Sequence, residues 1–180
     1  MAAERTRPAQ PRIAPRTDIP EDLRDVTSVK GSGKQLNIFA TLAHAPNVLR
    51  RFSQLGGTLL FRTSVGDRER EIVILRVGWN CRSVYEFGQH TAIGLDSGIS
   101  EAEIKALTLS PDEHPWSGKD LALIALADDL CADDCVSDAT WDRLRQDWDE
   151  RQLVELVVTA GFYVWHRERR LMKMRGQVRA

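Results

Sequence analysis

The stretch DREREIVILRVGWNCRSVYEFGQH, residues 67–90, decides the fold of this chain. From Ile72 to Trp79 it carries an almost continuous apolar run, as a helix buried on all sides does. The string Ser83-Val84-Tyr85-Glu86 matches the capping-box pattern and predicts a second helix that runs to about Leu95. The stretch is therefore predicted to form two helices joined by a short turn.

Helical signals continue on both sides of this pair. No stretch shows a convincing alternation of apolar and polar residues, and the β-prone string at 72–77 lies between helical signals. The fold class is therefore predicted to be all-α, with about seven or eight helices. The other predictions are two helices broken near Pro46, a break at Gly56-Gly57 with a buried turn at 59–61, and helices beginning near Ser100, Gly118, Ser137 and residue 150, the last running to about 173.

Two regions of the chain differ in composition. Residues 1–20 hold four prolines and no helical periodicity, which predicts an extended N-terminal arm. Residues 21–180 show no linker and no internal repeat, and they are predicted to form a single helical domain.

The charge balance and the cysteine number limit the class of protein. Lys plus Arg number 25 and Asp plus Glu 26, which argues against a nucleic-acid-binding protein. Three cysteines fit a reducing compartment, and neither a signal peptide nor an apolar run of about 18 residues is present. We therefore expect a cytoplasmic protein that binds neither nucleic acid nor membrane.

One cluster within residues 67–90 has the residue types for proton transfer. Glu86 and His90 lie four residues apart and share a helix face, and Glu71 can approach that face if the two helices pack antiparallel. An imidazole between carboxylates is suited to acid–base chemistry near neutral pH. Structural interpretations also exist, because Glu86 can serve as a cap residue, His90 as a packing residue and Glu71 as a complement to the helix dipole.

The same residues resemble the core motif of the carboxymuconolactone decarboxylase and alkyl hydroperoxidase D superfamily. The peroxidase branch has Glu, eleven residues, Cys, two residues, Cys, three residues and His, and this spacing places the acid on Glu71 and the imidazole on His90. The two cysteine positions fall on Ser83 and Glu86. The string from Tyr85 to His90 is similar to the decarboxylase-like branch, as are the stretches NIFATLAHAPNVLRRF and REREIVILR.

The resemblance implies a fold, an assembly and roles for single residues. It implies a helical bundle like that of alkyl hydroperoxidase D, in a trimeric or hexameric homo-oligomer. Glu71 and His90 match the proton-relay pair, and Glu86 is expected to act as a second acid or base. The expected function is acid–base chemistry, decarboxylation or isomerisation, on a small organic acid or lactone, with Tyr85 or Ser83 binding a developing oxyanion.

Two alternatives stay open. Ser83 and Glu86 cannot run a dithiol peroxidase cycle, so a divergent peroxidase would have to use Cys81, the one thiol near the site. The second alternative is that the chain is a non-enzymatic, oligomeric ligand-binding protein. We expect neither a cofactor nor a metal ion, and Cys131 and Cys135, four residues apart, are interpreted as core packing residues on one helix.

Overall fold

The computed structural model describes residues 12–28 and 35–165. By its contacts the chain divides into two compact units, with the boundary after Gly56. The predicted helical residues 166–173 and residues 1–11 of the predicted arm lie outside the described residues. The predicted domain boundaries stay a prediction.

The described residues are helical and contain no strand, which confirms the all-α fold class. An isolated antiparallel bridge joins Ser28 to Gln35. Short 3₁₀ helices lie at Glu21–Leu23 and Pro111–Glu113. The nine α-helices of the described ranges are α1 (Arg24–Thr27), α2 (Asn37–Leu42), α3 (Pro46–Phe61), α4 (Asp67–Asn80), α5 (Val84–Asp96), α6 (Glu101–Ala106), α7 (Gly118–Asp133), α8 (Asp138–Leu144) and α9 (Glu150–Trp165).

Helix α3 corrects one sequence expectation. The predicted break at Gly56-Gly57 is wrong, because the helix continues through both glycines to Phe61. Each helical glycine costs about 1 kcal/mol relative to alanine, and burial of Leu59 in the last turn offsets this cost. The predicted buried turn is also wrong at Phe61, which is 82% exposed.

Helix α4 forms the centre of the second unit. It packs against α5, α7 and α9, and every residue from Arg70 to Gly78 is buried. This confirms the buried helix that the apolar run predicted. The position of α4 also explains how its few polar side chains come to lie among neighbouring helices. Among the described helices, none combines the length and apolar character needed to cross a membrane.

A three-residue turn, Cys81 to Ser83, connects α4 to α5. The Ser83 N–H donates to the Gly78 carbonyl at 2.7 Å, and the Arg82 N–H donates to the Trp79 carbonyl at 2.7 Å. Together with the left-handed backbone of Arg82 (φ 54°), these bonds form a Schellman motif that ends α4. Ser83 also caps α5, accepting a hydrogen bond from the Glu86 N–H. One serine therefore closes the first helix and starts the second, which fixes how the two helices face each other.

Candidate active site

Glu71 lies at the centre of a buried polar network. Its side chain is fully buried, with 0% exposure. One carboxylate oxygen, Oε2, lies 2.6 Å from Nδ1 of His90, and the other, Oε1, accepts from Nε of Arg70 at 3.2 Å. A buried carboxylate needs such partners because the protein interior solvates charge poorly. The Arg70 guanidinium in turn binds the exposed Asp67 at 2.6 Å, so the network extends to the protein surface.

The α4–α5 hairpin thus brings together the two residues that sequence reasoning placed on facing helices. Because the Glu71 carboxylate is an acceptor, Nδ1 of His90 is the donor in their hydrogen bond. In the neutral imidazole, Nε2 then carries the lone pair. Nε2 lies 3.8 Å from Oε2 of Glu86, which is too long for a direct hydrogen bond. His90 is therefore oriented from one side, with its second nitrogen facing another carboxylate.

Glu86 has a different role from the one that the capping box predicts. The Ser83 half of the box is present, because its hydroxyl accepts from the Glu86 N–H. The reciprocal half is absent, because the Ser83 N–H already donates to the Gly78 carbonyl in the Schellman motif. The Glu86 side chain instead lies beside His90, one helical turn further along α5. The predicted hydrogen bond from the Ser83 N–H to the Glu86 side chain is therefore wrong, because the Schellman motif before α5 uses that N–H.

Two residues outside the predicted set complete the surroundings of His90. Tyr163 of α9 packs edge-on against the imidazole, with ring centroids 4.9 Å apart and an interplanar angle of 88°. Burial, together with the charges of Glu86 and Glu71, raises the pKa of the Tyr163 hydroxyl well above its ordinary value. Arg70 is the second such residue. An arginine at the start of a helix that becomes apolar from Ile72 onward was the available signal for it.

Tyr85 carries a polar group whose hydrogen-bonding capacity is unused. Its hydroxyl is buried and has no hydrogen-bond partner within the described residues. Burial raises its pKa, and the nearby charge of Glu86 raises it further, so the hydroxyl keeps its proton at neutral pH. An unsatisfied buried hydroxyl costs roughly 1–3 kcal/mol. Such a group needs an explanation, and a ligand that accepts its proton would provide one.

Two of the three thiols, those of Cys81 and Cys131, lie close together. Cys81 directly follows the last residue of α4 and is buried. Its Sγ lies 3.9 Å from Sγ of Cys131 on α7. Cys135 is exposed and lies beyond the end of α7 at Asp133, so its interpretation as a core residue on the same helix is wrong. In the described part of the chain, no group of three or more His, Cys, Asp or Glu side chains is arranged so that it could hold a metal ion.

Known proteins share both a sequence region and the fold with this chain. Residues 46–129 match the model of the Carboxymuconolactone decarboxylase family. A search of curated proteins finds no match. Three solved bacterial structures have the same fold, at identities that support an inference about the fold alone.

The first is an uncharacterized peroxidase-related protein from Silicibacter sp. TM1040, with 17% identity, a TM-score of 0.69 and 88% of each chain covered. The second is an uncharacterized peroxidase-related protein with an alkylhydroperoxidase AhpD core from Ralstonia eutropha JMP134. It has 18% identity and a TM-score of 0.73, covering 91% of this chain and 93% of its own. The third is a protein of unknown function from Agrobacterium tumefaciens whose name relates it to the antioxidant defence protein AhpD. It has 16% identity and a TM-score of 0.68, covering 77% of this chain and 95% of its own.

The family match spans α4, α5 and residues 118–129 of α7, so it includes Glu71, Glu86, His90 and Cys81 but ends before Cys131. The helical architecture agrees with these neighbours over most of both chains. Residues 46–129 of this chain are thus similar to the Carboxymuconolactone decarboxylase family, and its fold is similar to that of the AhpD-like structures.

Proposed function

We propose that this chain is an enzyme that carries out acid–base chemistry, decarboxylation or isomerisation, on a small organic acid or lactone. The observation that carries the proposal is the 2.6 Å contact between Oε2 of Glu71 and Nδ1 of His90, with Nε2 facing Glu86. This arrangement fixes the tautomer of the imidazole and leaves one nitrogen for a reacting proton. The family match and the AhpD-like fold are compatible with several chemistries and do not select among them.

His90 is the residue that moves the proton in this proposal. As a neutral imidazole, it takes a proton from a carbon next to a carbonyl through Nε2 and returns it elsewhere on the substrate, which is an isomerisation. As an imidazolium, it donates a proton to the enolate that remains after carbon dioxide leaves, which is a decarboxylation. The buried Glu71 stabilises the imidazolium in either case, and Arg70 balances the charge of Glu71.

Glu86 and Tyr85 provide the two remaining functions. The Glu86 carboxylate lies 3.8 Å from Nε2, so both groups can form hydrogen bonds with a single substrate atom that lies to the side of the line joining them. The Tyr85 hydroxyl keeps its proton and is without a protein partner in the described residues, so it can donate to a developing oxyanion. The Ser83 hydroxyl is already used to cap α5, which favours Tyr85 over Ser83 for this task.

Access to this site requires movement or an opening shaped by a partner subunit, since His90 is 5% exposed and Glu86 6% exposed in the single chain. A homo-oligomer, trimer or hexamer, is part of the proposal. Val154 and Val158 lie four residues apart on α9, the helix that carries Tyr163, and both are exposed. Exposed apolar residues on one helix face are typical of a contact between subunits. A cytoplasmic location also stays a prediction.

The experiment that tests the proposal uses a panel of lactone carboxylic acids and β-keto acids with the purified full chain. Proton exchange at the carbon next to the carbonyl is followed by NMR in deuterated water, and release of carbon dioxide is measured in parallel. We expect turnover to fall by about 10²–10⁴-fold in His90→Gln, the range for loss of a general acid–base group. Glu101→Gln, an exposed acid in the first turn of α6, serves as the matched control.

Turnover that survives in folded His90→Gln would overturn the assignment. A complete absence of exchange and decarboxylation across the panel, in a wild-type protein of normal thermal stability, would also count against it. Because exchange reports proton abstraction alone, it can detect the acid–base step even when no panel member loses carbon dioxide.

Hydroperoxide reduction is the second candidate function. Two of the solved neighbours are named peroxidase-related, but at the thiol positions this chain has Ser83 and Glu86. A peroxidase cycle would therefore depend on Cys81.

The third candidate is a non-enzymatic ligand-binding protein in which the buried acids are purely structural. Glu86→Gln separates this from catalysis. We expect that variant to lose activity, because an amide beside Nε2 of His90 cannot act as an acid or base. If Glu86→Gln lowers thermal stability and the wild type shows no activity on the substrate panel, the structural role is favoured.

A further inference from the structure

A polar cavity lies in the first compact unit, where α1 and α3 both contribute to its wall. Its volume is about 700 Å³, within the range of sites that hold small organic molecules. We call it the α1–α3 cavity, and its lining residues are Val26, Asn47, Arg50, Arg51, Ser53 and Gln54. These residues belong to the first unit, so the cavity is separate from the candidate active site in the second unit.

Helix α3 presents most of the lining side chains on one face. Four of them follow the i, i+3, i+4 and i+7 spacing of a single helical face: Asn47, Arg50, Arg51 and Gln54. Asn47 lies in the first turn, where the helix dipole makes the electrostatic potential positive. The two guanidinium groups add positive charge to the same face, which therefore favours an anion.

The two arginines differ in how their charge is balanced. Arg50 forms an ion pair with Asp22, and both side chains stay exposed, at 45% and 65%. An exposed ion pair contributes little to stability, so Arg50 can exchange Asp22 for a ligand. Arg51 donates to the neutral amide oxygen of Gln54 at 3.3 Å, and among the described residues it forms no ion pair. Two guanidiniums and one carboxylate leave one positive charge, which a ligand with a single negative charge balances.

The side chain of Ser53 provides a further donor. Its hydroxyl oxygen is buried and has no hydrogen-bond partner within the described ranges. Buried polar groups are nearly always hydrogen-bonded, so this hydroxyl needs an explanation. A ligand oxygen that accepts its proton would satisfy it.

We propose that the α1–α3 cavity binds a small organic monocarboxylate. The ligand carboxylate accepts from the guanidinium of Arg51, a group whose planar shape matches two carboxylate oxygens, and from the hydroxyl of Ser53. The carbon skeleton lies against Val26, and the amides of Asn47 and Gln54 bind its polar substituents. A phosphate monoester, with close to two negative charges at neutral pH, exceeds the charge that the cavity balances.

Ligand-observed NMR with the full chain tests the proposal, because saturation transfer detects a bound small molecule whatever the size of the assembly. Benzoate is the probe, benzamide is its neutral counterpart of similar shape, and phenyl phosphate carries the additional charge. All three are titrated at constant ionic strength, since salt screens exposed charges. We expect saturable binding of benzoate, weaker binding of phenyl phosphate and no saturable binding of benzamide.

Four variants, each checked by thermal unfolding, locate the binding. Arg51→Gln should weaken benzoate binding by about tenfold to a hundredfold, the scale for loss of a hydrogen bond to a charged group. Ser53→Ala should weaken it by a smaller factor. Asp22→Asn removes the competing carboxylate, so it should strengthen the binding of both anions and make phenyl phosphate the tighter of the two. Arg62→Gln, an exposed arginine that follows α3 and does not line the cavity, is the matched control.

The proposal is overturned if folded Arg51→Gln binds benzoate as tightly as Arg62→Gln does. It is also overturned if benzamide binds as tightly as benzoate, or if phenyl phosphate binds the wild type more tightly than benzoate does. Binding that is lost in His90→Gln and kept in Arg51→Gln would assign the carboxylate to the candidate active site instead. The cavity uses none of the proposed acid–base residues, so the failure of one proposal leaves the other intact.

Discussion

The ring of Tyr163 closes one side of the imidazole of His90, with centroids 4.9 Å apart at nearly a right angle. This edge-to-face contact joins α9 to α5 and holds the histidine against the Glu71 carboxylate. The contact is made by the ring, so the hydroxyl and the ring can be tested separately.

Replacing Tyr163 separates the two parts of that side chain. We expect Tyr163→Phe to keep the ring contact and to lose roughly 1 kcal/mol of unfolding free energy with the hydroxyl. Tyr163→Ala should lose about 3–5 kcal/mol, because it leaves a cavity beside His90. Urea unfolding of both variants measures the difference. Equal losses in the two would show that the ring does not support the site.

Removing the charge of Glu71 tests the buried ion pair. Glu71→Gln keeps an oxygen that can accept from Nδ1 of His90 but leaves the Arg70 guanidinium without its buried counter-charge. We expect a loss of about 3 kcal/mol in unfolding free energy, the scale for breaking a buried pair. Urea unfolding at pH 7 provides the measurement.

The matched control for Glu71 is Glu101→Gln, an exposed acid that should change stability by less than about 0.5 kcal/mol. If Glu71→Gln were as stable as this control, the charge of Glu71 would contribute nothing to the fold.

The turn between α4 and α5 offers a stabilising change. Arg82 has a φ of 54°, in the left-handed region that costs most residues about 1–2 kcal/mol. We expect Arg82→Gly to raise the unfolding free energy by about 1 kcal/mol, because glycine adopts this backbone without a steric penalty. Thermal and urea unfolding measure the gain.

A comparison variant is available at the end of α7, where Asp134 also has a positive φ, of 55°. Aspartate tolerates this region better than arginine does, so Asp134→Gly should gain less. A larger gain at Asp134 than at Arg82 would contradict this explanation.

The α6 cap predicts how stability depends on pH. Burial alone would raise the pKa of Glu103, but hydrogen bonds from the Ser100 N–H and hydroxyl, with the Arg68 guanidinium 2.5 Å away, outweigh it and lower the pKa. The stabilisation is therefore complete above the unfolded-state pKa of about 4.3 and is lost as the pH falls through the lower folded-state pKa. We expect Glu103→Gln to be less stable than wild type at pH 7 and to approach it by pH 3.

Urea midpoints at pH 7, 5 and 3 for wild type and Glu103→Gln check this expectation. Glu101→Gln, on the same helix, should run parallel to the wild type throughout. A constant difference between Glu103→Gln and wild type would mean that the carboxylate does not titrate differently in the folded state.

The fold could be predicted from the sequence wherever packing follows periodicity. The apolar run in α4 and the serine caps before α5, α6 and α8 correspond to observed elements. The continuation of α3 through Gly56 and Gly57 could not be predicted, because glycine usually marks a break and the burial that opposes it, at Leu59, depends on tertiary structure.

The candidate site could be predicted in part. The pairing of Glu71 with His90 follows from two facing helices and a short turn. The departure of Glu86 from the capping box could not be predicted, because it depends on a Schellman motif with arginine in place of the usual glycine. The facing of Cys81 and Cys131 depends on which helices pack against α4, and a sequence pattern carries no such information.

The position of Tyr163 in α9 determines when the candidate site is completed during synthesis of the chain. Glu71 and His90 are synthesised before Tyr163, whose aromatic ring covers the imidazole and belongs to the last described helix. A nascent chain, or a fragment cut before α9, would leave that pair open to water and unable to hold its orientation. Under the proposed function, catalysis would begin only once α9 had been synthesised and had packed against α5.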